Sequence, residues 1–170
     1  MSSAKQPEPW LRGRKEDLPA VHIAVLNALD LASENVDHWC FGLSQDDFHA
    51  QPNGLPSVAF HIRHIARSID RLLTYAEDNQ LTEAQLAALK SESEPGVSIR
   101  TILDEFHKSL DHSAARIRNL SGTDLELPRA VGRKQLPTTV AGLLVHIADH
   151  TQRHTGQIIT TAKFLLARRK

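Results

Sequence analysis

The stretch His150-Thr-Gln-Arg-His154-Thr-Gly-Gln157 carries the clearest chemical signal in the chain. Two histidines four residues apart share one face of a helix. In that geometry two imidazoles can hold one metal ion. A third, His146, lies one turn earlier. The aliphatic stripe of this segment is Val140, Leu143, Leu144, Ile147, Ile158 and Leu165, and both His150 and His154 fall inside it. A buried imidazole must find a partner, and a divalent metal would satisfy both at once. Position 151 is Thr, so the HExxH signature of zincin proteases is missing. Asp149 points about 100° away from His150 and is expected to face solvent or a neighbouring helix.

Catalytic zinc-type sites use three protein ligands and keep one position open. The best source of a third ligand is His61-Ile-Arg-His64. His61 lies nearer the middle of the Ile62, Ile65, Ile69 stripe, and His64 lies at its edge towards Ser68 and Arg71. Periodicity alone slightly favours His61. Arg67 and Arg71 would suit an anionic substrate, but the plainer reading is a solvated face pairing with Asp70 or Glu77. His22 lies on the inner stripe of the first helix, as a satisfied core or mouth histidine. Gln157 is expected to pack or hydrogen-bond near the metal. Tyr75 reads as structural, and Trp10 as the anchor of the N-terminal segment.

These residues must be positioned by helices. Apolar residues recur at helical spacing over Leu18 to Trp39, with Pro19 at the start and Gly42 after the end. A second pattern covers Ser57 to Ala76, a third Ser98 to Leu120, and a fourth runs from Thr138 or Thr139 to Leu166. Thr82 with Gln85 forms a capping box for one short helix to Lys90. Ser91 to Gly96 reads as loop. Sustained strand alternation is absent, although Pro128 to Pro137 has room for a short extended stretch. The pattern is all-α and predicts a four-helix bundle. The long connections after the second and third helices leave room for crossovers. Residues 1–16 read as an arm and 17–170 as the bundle.

The chain has 170 residues, enough for one domain with a sizeable core. Lys plus Arg (20) balances Asp plus Glu (20), so charge gives no argument for nucleic acid or an anionic membrane. The basic C-terminal end reads as a helix terminus in a favourable dipole. The single cysteine, Cys40, excludes an intramolecular disulfide and a multi-cysteine metal site. With no membrane span and no signal peptide expected, a cytoplasmic location is the default expectation.

Val58-Ala-Phe-His-Ile-Arg-His64-Ile-Ala-Arg-Ser-Ile-Asp-Arg and His146-Ile-Ala-Asp-His150-Thr-Gln-Arg-His154-Thr-Gly-Gln resemble the DinB/YfiT-like superfamily. These are small four-helix bundles with a divalent metal on three histidines. The resemblance implies His64, which precedes Ile65-Ala66, as the ligand from the second helix, and His150 and His154 as the other two. It leaves His61 beside the metal at most, while His146 reads as a neighbour of the metal or a helix-surface residue and Gln157 as a neighbour of the site. It also implies a small-molecule substrate and a homodimer. Relatives include thiol-dependent S-transferases using low-molecular-weight thiols and proteins described as metal-dependent hydrolases. Either chemistry fits an open position on a three-histidine metal. The rival expectation is a non-enzymatic bundle whose metal is structural or ligand-sensing. Zinc or nickel is the expected ion, with iron or copper as alternatives.

Overall fold

The four apolar patterns become four long helices in the computed structural model, which describes residues 6–13 and 17–168. They are α1 (Ala20–Cys40), α3 (Val58–Ala76), α5 (Ile99–Asn119) and α6 (Val140–Ala167). Each boundary lies within about two residues of the sequence expectation. Side-chain caps explain the starts. Ser57 accepts from the Phe60 amide, Ser98 from Thr101 and Thr139 from Gly142. The short helix α4 (Glu83–Lys90) starts at the Thr82/Gln85 capping box. A second short helix, α2 (Gln45–His49), goes beyond the one expected. It is closed by a Ser44/Asp47 capping box, a sequence signal that the histidine-led reading passed over.

Paired residues give the helix directions. Gln152 donates to the Ala28 carbonyl at 2.7 Å and Lys163 lies 4.4 Å over the Trp39 ring, so α1 and α6 run parallel. Arg67 meets Glu105 and Arg116 meets Glu77, so α3 and α5 also run parallel. His64 faces His150 and His61 faces His154, so α3 opposes α6. His107 of α5 reaches Asp37 and Ser33 of α1. The ring of contacts α1–α6–α3–α5 closes on α1. Since α3 and α5 point the same way, the chain between them must return along the outside. That crossover carries α4 and residues 91–98.

The connection from α5 to α6 stays at one end. It holds the extended stretch anticipated near Pro128 to Pro137, now an antiparallel pair of β1 (Pro128–Val131) and β2 (Leu136–Thr139). Gly132 takes a left-handed φ of 70° at its turn. β2 runs into α6 without an intervening residue.

The core joins Val25, Leu29 and Val36 of α1 to Ile62, Ile65, Ile69 and Leu73 of α3, Ile102, Phe106 and Ile117 of α5, and Val140, Leu144, Ile147 and Ile158 of α6. Each fully buried aliphatic side chain contributes about 1.5–3 kcal/mol. Tyr75 is buried, as its structural reading implied. Trp10 is not the anchor expected of it. It is 63% exposed, and among the described residues its indole donates to Glu8. Buried Pro9 and a bidentate Arg12–Glu34 pair fasten this segment to α1 instead. Residues 1–5 and 14–16 of the expected arm, and residues 169–170 of the basic end, lie outside the described residues. No helix among the described residues is long and apolar enough to cross a membrane.

Candidate metal centre

The i, i+4 spacing places His150 and His154 on one face of α6, with ring centroids 4.5 Å apart. α3, antiparallel beside it, brings His64 to the same point. His64 Nε2 lies 2.9 Å from His150 Nε2. One ring nitrogen each from His64, His150 and His154 can be chosen so that all three lie within 4.8 Å of one another, and each residue is half-buried.

Neighbours decide which nitrogens are available. His64 Nδ1 is 2.7 Å from Glu92 Oε2. His154 Nδ1 is 3.0 Å from His61 Nδ1. Both ligand candidates are therefore engaged at Nδ1, which leaves Nε2 for an ion. His150 Nδ1 is buried with no hydrogen-bond partner among the described residues. Phe60 stacks on His64 at 15° between planes, with centroids 5.4 Å apart.

Electrostatics favour the neutral form, the state a metal requires, at His61, His150 and His154. Burial, followed by the nearby His154 and His64, lowers the His61 pKa to about 4. Burial also dominates at His150, ahead of His154, His64, His146 and Arg153, and again the value is about 4. His154 reaches about 4 through burial, His64 and Arg153, against an opposing pull from Glu92 and a hydrogen bond with Gln157. Three converging imidazoles on a half-buried face form a donor set that fits a divalent ion.

Of the flanking candidates, His61 is buried and touches His154, whereas His146 is half exposed, 3.8 Å from Asp149. Asp149 faces solvent and pairs with Arg153. Gln157 is exposed at the edge of the cluster. A cavity of about 450 Å3 opens beside it, lined by Leu55, Pro56, His61, Arg153, Gln157 and two threonines. No carboxylate lines this cavity among the described residues. Cys40 is buried elsewhere, and burial, then Asp37, pushes its thiol up to about 12. His22 is fully buried as expected of a core histidine, but it is not satisfied. Neither ring nitrogen meets a partner among the described residues.

Arg67 and Arg71 correct both sequence readings. Neither points at the cavity, and neither pairs with Asp70 or Glu77, which Arg116 holds. Arg67 binds Glu105, the Ala88 carbonyl and Ser91, and Arg71 binds Glu92. Glu92 itself went unremarked in the sequence. In Ser91-Glu92-Ser93-Glu94 nothing local separates it from Glu94, yet Glu92 is 5% exposed and Glu94 is open to solvent. Burial raises the Glu92 pKa, but the hydrogen bonds from His64 and Arg71 outweigh it, so the carboxyl titrates below its ordinary value.

No curated protein matches this sequence. The DinB superfamily sequence profile does match, over residues 28–158, a span that runs from α1 into α6 and contains all three clustered histidines. With a match over most of its length, the chain belongs to the DinB superfamily.

Proposed function

We propose that this chain is a metal-dependent enzyme in which His64, His150 and His154 hold one divalent ion at the edge of a small-molecule cavity. The four long helices then constitute a DinB-type four-helix bundle over residues 17–170, with the preceding segment as an arm. The observation that carries the reading is the convergence of three imidazoles, from α3 and α6, within 4.8 Å. Imidazole donors suit zinc, nickel, iron or copper, and zinc or nickel is the ion expected here. An ion held there supplies a lowered pKa to a water or thiol, which makes the nucleophile available near neutral pH.

The protein's own residues do the rest. Gln157 and His61 place polar groups beside the cluster, and Arg153 puts a cation on the cavity wall. Leu55 and Pro56 give that wall an apolar side. Glu92, the buried carboxylate at the cluster, is engaged by His64 and Arg71 and is not free to act as a general base. This favours a low-molecular-weight thiol, which ionises readily, over water as the activated group. The same lack of a free base supports a second reading, a non-enzymatic module whose metal braces the bundle or senses a ligand.

Metal analysis tests the site. Stoichiometric metal in the wild type should be lost in His64→Ala, His150→Ala and His154→Ala. Metal retained in all three variants would overturn the assignment. Cobalt-loaded protein separates the two readings. A thiolate-to-cobalt absorption band on adding small thiols supports an open, catalytic position. A spectrum unchanged by thiols, with four protein nitrogens around the metal by X-ray absorption, supports the structural role.

A further inference from the structure

We infer that Glu92 is a positioning residue that makes His64 a preset metal ligand. The inference rests on the metal-site reading above.

A carboxylate 5% exposed is expensive to bury unless both oxygens are engaged. Both are. Oε2 is 2.7 Å from His64 Nδ1, and Oε1 accepts from Arg71 Nη1 at 2.9 Å. An ionised carboxylate only accepts, so His64 Nδ1 must carry the proton. With that proton on Nδ1, the lone pair a metal needs can only be on Nε2. That nitrogen is the one turned to His150, 2.9 Å away. Glu92 thereby fixes the tautomer that an ion on Nε2 requires, and it raises the ring's basicity as a ligand. Phe60, stacked on the ring, blocks the tilt that the Glu92 bond alone would allow.

Glu92 sits on the crossover segment, which would be a poor place for a positioning group if it were loose. α3 holds it fast. Arg63, Arg67 and Arg71 recur every four residues, so they form a row on one face. Arg63 donates to the Glu94 carbonyl at 3.1 Å. Arg67 donates to the Ala88 carbonyl at 2.7 Å and to Ser91 Oγ at 3.0 Å. Arg71 completes the row at Glu92. The helix that supplies His64 therefore also grips the segment that orients it.

The test is zinc affinity at neutral pH, by competition with a chromogenic chelator, in the wild type and in Glu92→Gln. The substitution keeps the side chain's shape and removes its charge. The dissociation constant should rise roughly 10- to 100-fold, measured on variant protein whose helical circular dichroism shows it folded. Glu92→Asp should recover part of the loss. Equal zinc affinity in wild type and Glu92→Gln would overturn the role of Glu92 while leaving the site reading intact. No zinc on the wild type would overturn the site reading, and the inference with it. A measurement on the unaltered chain needs no variant to fold. In the zinc-loaded wild type, nitrogen-15 NMR should show His64 protonated at Nδ1 and ligated at Nε2. The opposite tautomer would overturn the inference.

Discussion

His22 shows what a single side chain can reveal when its partners are missing. Its imidazole is fully buried in α1, and neither ring nitrogen bonds to any described residue. An unsatisfied polar group in a core costs about 1–3 kcal/mol. Leucine has similar bulk and no polar atom, so His22→Leu should raise the urea midpoint of the protein. A clear fall would show that the ring makes a bond beyond those described. The contrast with His61, His150 and His154 is instructive, because all four lie on apolar faces. The wheel gave His61 a slight edge over His64, since it ranks positions only by depth in the stripe. His64, nearer the edge, is half-buried and meets His150 at 2.9 Å. His61, deeper, ends against His154. The motif resemblance implies His64 where depth in the stripe favours His61.

At the level of elements, local signals served well where they were local. Ser57, Ser98, Thr82 and Thr139 each cap a helix at or beside its anticipated start. The α3 stripe of Ile62, Ile65 and Ile69 is buried to zero exposure. Ile69→Ala, one turn and more from the histidines, should cost about 2–5 kcal/mol in equilibrium unfolding while leaving metal affinity close to wild type. A loss below that range would mean that the site collapses around the gap. What the sequence hid was the partner of each arginine. The four-residue spacing of Arg63, Arg67 and Arg71 is in plain view, but the acceptors they share on the crossover lie 21 to 31 residues further along. Only the shared direction of α3 and α5 brings that segment back over α3. For the same reason Glu92 was legible as an acid and illegible as a neighbour of His64.

For the whole molecule, the clustered imidazoles tie stability to pH. In the metal-free protein His61, His150 and His154 titrate near 4 when folded, against an ordinary 6.5. Above about 6.5 both folded and unfolded chains hold these rings neutral. As pH falls from about 6.5 towards 4, the unfolded chain takes up protons that the folded one refuses, so stability declines over that window. Urea midpoints measured without metal should fall across it, and a midpoint rising towards acid would contradict the buried, neutral cluster. A bound ion would deepen this dependence, since protons and metal compete for the same nitrogens. The hairpin ahead of α6 acts at the same scale. The first amides of a helix ordinarily lack acceptors, but here Val140 donates to the Leu127 carbonyl, Ala141 to Leu125 and Gly142 to Thr139 Oγ1. Fraying from that end is therefore suppressed, and hydrogen exchange along α6 has no soft starting point there. The stretch of α6 that leads to His150 and His154 thus starts from a tethered end.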